Sequence, residues 1–327
     1  MSADERPIFA RLRRMRREGG PAAPPTEPAS DASRELPPGV PTWLRAKLGR
    51  AGARLGSGDL APRTPTAPGS PGPPERLVEC AGSHGTHAAR IDVRTRASLH
   101  GAFALEAALD VAPDAFAPFA RDGSLGRVDL ARAVYLDIET TGLSGGAGTY
   151  PFLVALGTFT GSGFEVWQGF LREPDEEPAM LAAAAERIAG ASAIVSFFGK
   201  SFDRHRLEDK MRLHAIEPPF DGLAHLDLYH PCARLYAPAL PDGKLQTMER
   251  ALCGVTRADD LPGAFAPEAW FDFLASRPHR LEAVFQHNLD DVLSLVTLAA
   301  HLGRSHDERG PDGAALTGPA GSRSWRQ

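Results

Sequence analysis

The sequence predicts an α/β fold in which a mixed sheet carries helices on both faces. Short apolar runs typical of buried strands occur at "AVYLDI" (Ala133–Ile138) and "AIVSFF" (Ala193–Phe198). From residue 131 onward, three strand-like segments come first, and strands then alternate with helical segments. A long stretch of helical periodicity, His279–Leu302, closes the pattern.

The first 75 residues are predicted to form a disordered arm. Most of this segment is rich in Pro, Gly, Ala and Ser, and it buries too little apolar surface to offset the entropy lost on ordering. Two short basic helices, Pro7–Arg17 and Thr42–Arg50, are predicted within it. Residues 1–74 carry a net charge of +5 and the remainder carries −10. A basic arm can contact a polyanion or remain a solvated tail.

The rest of the chain divides into three parts. Residues 76–130 are predicted to flank the main domain with short strands at Leu77–Cys80 and His87–Val93 and a helix at Ala102–Ala107. Residues 131–303 are predicted to form the main domain and residues 304–327 a disordered tail. The predicted strands of the main domain are Ala133–Ile138, Phe152–Phe159, Phe164–Phe170, Ala193–Phe198 and Leu223–Tyr229. Its predicted helices are Glu177–Ala189, Phe202–Leu213, Leu245–Leu252, Pro267–Ser276 and His279–Leu302.

Composition argues against several classes of protein. The cysteines Cys80, Cys232 and Cys253 lie far apart without a CxxC pair, so we expect neither a disulfide framework nor a Cys-rich zinc site. No apolar run approaches the roughly 18 residues that a membrane span needs. No hydrophobic segment follows the N-terminal arginines, as it would in a signal peptide. We therefore expect a cytoplasmic protein without a membrane partner.

The first motif that carries chemistry is "LDIETTGL". Asp137 and Glu139 are two residues apart on a predicted strand, so both side chains leave the same face. Neighbouring carboxylates repel each other unless a cation lies between them, and a hard divalent cation prefers oxygen ligands. The local spacing alone is equally explained by a strand that ends in solvated acids.

Two further motifs supply acidic residues in the second half of the chain. Asp203 in "SFFGKSFD" follows a predicted strand and turn, where it is either a functional acid or a helix cap. In "QHNLDDV", His287 and Asp291 are four residues apart on a predicted helix and therefore share one face. A lone histidine at such a position is more often structural.

The order of these three motifs resembles the pattern of the DEDD exonucleases. The sequence resembles the YprB-type RNase H-like domain of bacteria more closely still, over about residues 130–302. The segments that carry this resemblance are "LDIETTGLSGGAGTYPF", "FFGKSFD", "LQTMER", "DDLPG" and "HNLDDVLSL". The resemblance implies an RNase H-like mixed sheet. It also implies metal-binding acids and a general base, which by position are Asp137, Glu139, Asp203 and Asp291 for the metal and His287 for the base.

The resemblance further implies a metal-dependent 3′–5′ exonuclease. Two ions, Mg²⁺ or Mn²⁺, would assist hydrolysis of the terminal phosphodiester of DNA or RNA and release 5′-mononucleotides. A single-stranded 3′ end is the expected partner, and DNA repair beside a helicase is a plausible setting. A non-catalytic nucleic-acid-binding or scaffold protein on the same fold is one alternative, and an RNase H-like endonuclease is another.

Three positions depart from the pattern or leave its register open. His287 precedes Asp291 by four residues, which is the spacing of members with a tyrosine base rather than a histidine. Asp290 offers a second register, although the four-residue spacing favours Asp291. Phe198 stands where relatives tend to have asparagine.

Residues beside the first two motifs are candidates for contact with substrate. They are Thr140 and Gly142 at the first motif and Lys200, Ser201 and Arg204 at the second. A solvated helix face explains the basic residues equally well.

Aromatic and polar residues near the second motif have simpler interpretations. Phe197 and Phe198 can stack a base, although core packing is the favoured interpretation. Asp227 and His230 on a later predicted strand are interpreted as structural.

Overall fold

A computed structural model describes residues 72–120, 123–142, 148–236, 240–257 and 261–307. The predicted arm with its two basic helices and most of the predicted tail lie outside the described residues. The strands are β1 Val78–Gly82, β2 Gly85–Arg94, β3 Leu99–His100, β4 Phe103–Ala104, β5 Ala133–Thr140, β6 Pro151–Phe159, β7 Phe164–Phe170, β8 Ala193–Ser196 and β9 Ala224–Asp227. The α-helices are α1 Glu177–Ala189, α2 Asp203–Leu213, α3 Tyr229–Tyr236, α4 Leu245–Met248, α5 Ala266–Leu274 and α6 Leu281–Asp307.

Most described strands join one seven-stranded sheet of order β1-β2-β7-β6-β5-β8-β9. Along this order, neighbouring strands pair antiparallel from β1 through β2, β7 and β6 to β5. Strands β8 and β9 then continue the sheet in parallel with β5. The mixed sheet predicted from the sequence is therefore confirmed. The two strands predicted in the flanking segment extend this same sheet.

Helices cover both faces of the sheet because side chains alternate along its buried strands. On β5, Tyr135 contributes to the cluster that includes Val292 and Val296 of α6. Its neighbours Val134 and Leu136 contribute to the opposite cluster with α1 and α5. These two clusters are the hydrophobic core, and β5 lies between them.

The helix predicted at Ala102–Ala107 is wrong. Residues Phe103–Ala104 form β4, and a 3₁₀ turn at Leu105–Ala108 follows. Gly101 has φ +66°, and a Cβ atom there would lie 2.2 Å from the carbonyl oxygen of Cys253. A distant segment thus fixes the backbone at this position, which local propensity does not report.

The predicted strand at Ala193–Phe198 ends earlier, and a helix was missed. β8 stops at Ser196 because Phe198 adopts a left-handed backbone with φ 64°. The strand predicted to reach Tyr229 stops at Asp227, and α3 begins there instead. The Asp227 carboxylate accepts hydrogen bonds from the backbone N–H groups of Phe198 and Tyr229. This one side chain therefore stabilises the backbone where both strands end.

Two further helices differ from the predicted pattern. The helix predicted at Leu245–Leu252 is α-helical only to Met248 and continues as a π-helical turn, Glu249–Cys253. Such turns are rare and occur frequently at functional sites. The last helix, α6, extends past Leu302 to Asp307.

We predict that Gly157→Ala destabilises the protein by about 1–3 kcal/mol, a usual cost of overpacking. A Cβ atom at Gly157 would lie 2.6 Å from Val292 Cγ1 and 2.5 Å from Phe164 Cζ, where α6 crosses β6. Urea denaturation measures the change. Gly161→Ala is the control, because nothing lies within 4 Å of its Cβ position. Equal stability of the two variants would contradict the close packing of α6.

Candidate active site

Asp137 and Glu139 lie near the carboxyl end of β5, on one face and partly buried. The pairing of β5 with β6 shifts register between Glu139 and Thr140, an irregularity of the kind that re-aims side chains beside active sites. Thr140 then donates from its hydroxyl to the Gly142 carbonyl at 2.8 Å, which closes the turn after the strand. The strand therefore delivers both acids to its end and then turns sharply away.

Asp203 is the buried first residue of α2. The alternative interpretation of Asp203 as a helix cap is wrong, because Phe202 occupies the N-cap position and no side chain caps there. Gly199 packs against this acid: a Cβ atom at Gly199 would lie 2.8 Å from Asp203 Oδ2 and 2.7 Å from Ser196 Oγ. The glycine of "FFGKSFD" thus allows the turn to approach the acid closely.

His287 and Asp291 share one face of α6, as their spacing predicts. His287 Nε2 lies 3.5 Å from Asp291 Oδ2 and 3.8 Å from Glu139 Oε1, so it lies between acids from two elements. Asp290 accepts a hydrogen bond from Gln286 at 3.0 Å instead. The histidine and the first motif therefore meet in space through Asp291 and Glu139.

The Asp137 carboxyl group is influenced by the charges of three other acids. Its pKa is raised well above the ordinary value, first by burial and then by the charges of Asp291, Asp203 and Glu139. A hydrogen bond from Asn288 Nδ2, 2.6 Å from Asp137 Oδ2, partly offsets this effect. Repulsion of this kind favours either a proton on Asp137 or a cation beside it.

The donor set fits a hard divalent cation, since all four acids offer carboxylate oxygen. Among the residues that the structure describes, no three His, Cys, Asp or Glu side chains are gathered closely enough to hold a metal ion. Two of the acids, Asp137 and Asp291, are instead hydrogen bonded to Asn288 and Arg257. The donor chemistry of the four acids thus suits a divalent cation, and neighbouring side chains hold two of the acids.

Asn288 belongs to a buried chain of amides that the sequence reasoning missed. Gln168 on β7 donates to Asn288 Oδ1 at 2.9 Å and also to the Phe285 carbonyl oxygen at 2.9 Å. Asn288 in turn donates to Asp137. A polar Gln168 inside the apolar run "FEVWQGF" was the available signal. This chain orients Asp137 from the core side.

Arg257 and Glu249 form a second buried group that the sequence reasoning missed. Arg257 Nη2 lies 2.7 Å from Glu249 Oε2 and 2.5 Å from Asp291 Oδ1, and the side chains of Arg257 and Glu249 are 6% and 1% exposed. Arg257 Nη1 also lies 3.5 Å from His287 Nδ1. Glu249 lies within the "LQTMER" motif and accepts a further hydrogen bond from Ser294. The guanidinium therefore orients both Asp291 and His287.

The residues that are candidates for contact with substrate differ in their exposure and in their hydrogen bonds. Lys200 and Ser201 are exposed on the turn before Asp203, so substrate contact by them stays a prediction. Arg204 instead donates to Glu208 at 2.6 Å. Another basic residue of α2, Lys210, is buried, and its ammonium group donates to Glu177 at 3.0 Å. Only part of the basic helix face is therefore open to a phosphate.

With this geometry in place, comparison of the sequence defines its class. The profile of the RNase_H superfamily matches residues 134–303, which contain all four acids and His287, and the chain belongs to that superfamily. Over 172 residues it is 33% identical to "Uncharacterized protein YprB" of Bacillus subtilis (strain 168). That alignment covers 52% of this chain and 41% of the relative, so the similarity spans less than half of the relative's length. The predicted YprB-type RNase H-like domain is confirmed.

We predict that Arg257→Met lowers the free energy of unfolding by about 3–5 kcal/mol, because it leaves a buried carboxylate without its partner. Urea denaturation in EDTA measures the change. Arg172→Met is the matched control: Arg172 is 34% exposed and pairs with Glu176 near the surface. Its loss should cost no more than about 1 kcal/mol. A similarly small cost for Arg257→Met would show that the buried pair does not hold the site together.

Proposed function

We propose that the protein is a metal-dependent 3′–5′ exonuclease that hydrolyses the terminal phosphodiester bond of DNA or RNA. The observation that supports this most is the position of His287 between Glu139 of β5 and Asp291 of α6. The charges of Asp291, Asp203 and Glu139 also raise the pKa of the nearby Asp137. Membership of the RNase H superfamily supports a nucleic acid as the substrate. A single-stranded 3′ end as substrate, a cytoplasmic location and a role in DNA repair beside a helicase are further parts of the proposal.

Asp137, Glu139, Asp203 and Asp291 are the proposed ligands of Mg²⁺ or Mn²⁺. When bound, two such ions would acidify a water molecule and stabilise charge on the leaving oxygen. The chain's own contribution to proton transfer is His287, whose Nε2 atom faces Glu139 and Asp291 and can accept the proton of the attacking water. Arg257, beside Nδ1, holds the opposite edge of the ring in place.

The geometry also bears on the two alternatives. A scaffold protein would have no need of four mutually repelling acids, and here the charges of Asp291, Asp203 and Glu139 raise the pKa of Asp137. An endonuclease on this fold would share the acids. The pairing of His287 with Asp291 on one face of a late helix favours the exonuclease.

The experiment that tests the proposed function uses a 5′-labelled linear single strand and a circular single strand, each as DNA and as RNA, with Mg²⁺ or Mn²⁺. We predict progressive shortening of a linear strand from its 3′ end and an intact circle. Asp137→Asn should abolish cleavage without unfolding the protein, whereas Asp209→Asn, an exposed acid on α2, should not affect it. Cleavage of the circle would establish the endonuclease, and full activity of Asp137→Asn would remove this site from the chemistry.

We predict that His287→Ala lowers the cleavage rate about 10²–10⁴-fold, the usual contribution of a general base. The four acids remain in this variant, so calorimetry should find Mn²⁺ binding nearly unchanged. His205→Ala is the control, because His205 on α2 is 64% exposed and lies 3.5 Å from the carboxylate of Glu208. A loss smaller than tenfold for His287→Ala would assign His287 a packing role.

A further inference from the structure

An aromatic pair lies beside the acids, at the same edge of the sheet. Phe198 follows β8 and Tyr229 follows β9, and their ring centroids are 5.1 Å apart at 84°. Because β5, β8 and β9 are parallel neighbours, both rings leave the sheet at the end where Asp137 and Glu139 lie. Two strand spacings separate β9 from β5, a distance of about 10 Å.

These two rings differ from the aromatic residues of the core. Phe197 packs against the core cluster that includes α6. Among the residues that the structure describes, neither Phe198 nor Tyr229 belongs to either core cluster, and both are partly exposed. Phe197 thus packs as a core residue and also contacts Tyr229, with ring centroids 5.7 Å apart, whereas Phe198 and Tyr229 are only partly buried.

The backbone of Phe198 is held in a conformation that suits a different residue. Its φ of 64° lies in the left-handed region, which bulky side chains disfavour and asparagine tolerates. Such strain persists only where the surroundings impose it, and it clusters at functional sites. Here Asp227 Oδ1 accepts the N–H of Phe198 at 2.7 Å and the N–H of Tyr229 at 3.1 Å. One carboxylate thus anchors the backbones of Phe198 and Tyr229.

The charge around the pair suits a phosphate backbone. Lys200 is exposed two residues after Phe198, and its N–H donates to the other oxygen of Asp227 at 3.1 Å. His230, also exposed, packs against Tyr229 with ring centroids 5.4 Å apart. Aromatic faces next to a cationic side chain, here Lys200, are the combination that binds single-stranded nucleic acid.

We infer that Phe198 and Tyr229 form a stacking surface for a base of single-stranded nucleic acid beside the carboxylate cluster, an inference that rests on the proposed exonuclease function. Stacking accepts any base, because every base has a π face. The surface therefore positions the strand near the acids without reading its sequence.

The variant Phe198→Asn separates stacking from structure. Asparagine suits the left-handed backbone, so the urea midpoint should be equal to or higher than that of the wild type. Ala215→Asn is the matched control, since Ala215 is exposed with φ 56° on the turn after α2. Tyr229→Leu removes the second ring, and Tyr229→Phe keeps it.

Fluorescence anisotropy in EDTA would measure binding of the full chain to a labelled oligothymidylate and to an abasic strand of the same length. We expect Phe198→Asn and Tyr229→Leu each to weaken oligothymidylate binding about tenfold or more, with abasic binding unchanged. Ala215→Asn and Tyr229→Phe should bind as the wild type does.

Three outcomes would count against the inference, and they are distinguishable. Unchanged oligothymidylate binding by Phe198→Asn, in a protein whose wild type cleaves the strand, overturns stacking and leaves the proposed function standing. An equal loss for both strands shows that the loop contacts phosphates instead of bases. A wild type that neither binds nor cleaves either strand overturns the proposed function and the inference with it.

Discussion

Repulsion among carboxylates at the end of β5 is the constraint on which the rest of this structure depends. Burial and three neighbouring acids raise the pKa of Asp137, so the cluster is costly to assemble without a cation. The surrounding protein offsets part of that cost with fixed donors. Asn288 donates to Asp137, and the buried Arg257 donates to Asp291. Both donors are anchored in turn, by Gln168 and Glu249, so the cluster is built from the core outward.

The architecture brings these acids together through close approaches of backbone. The parallel neighbours β5 and β8 end at one edge, which places the first two motifs side by side. The long helix α6 then crosses the sheet at Gly157, where a Cβ atom would meet Val292. Gly199 allows the turn after β8 to fold against Asp203 in the same way. Glycines at these two close approaches thus determine the positions of Asp291 and Asp203.

Local patterns predicted the parts of the site that local geometry determines. The two-residue spacing of Asp137 and Glu139 and the four-residue spacing of His287 and Asp291 follow from strand and helix periods, and the sheet followed from its apolar runs. The other parts of the site and fold depend on contacts between residues that are distant in sequence. Arg257 gave no signal as a lone arginine in a loop, because its partner Asp291 is 34 residues away. The wrongly predicted helix at Ala102–Ala107 has the same cause, because Cys253 constrains the backbone there from elsewhere in the chain. Asp227 likewise constrains the backbone where β8 ends.

We propose that these four carboxylates form one cation site, and the adjacent acids of α6 offer the most direct test of this proposal. Asp291 is among the acids that raise the pKa of Asp137, whereas the Asp290 carboxylate accepts a hydrogen bond from Gln286. Calorimetric titration of Mn²⁺ into the wild type, Asp291→Asn and Asp290→Asn compares them directly. The account predicts binding by the wild type and by Asp290→Asn, and strongly weakened binding by Asp291→Asn. Equal affinities in all three proteins, or no binding by the wild type, would contradict it.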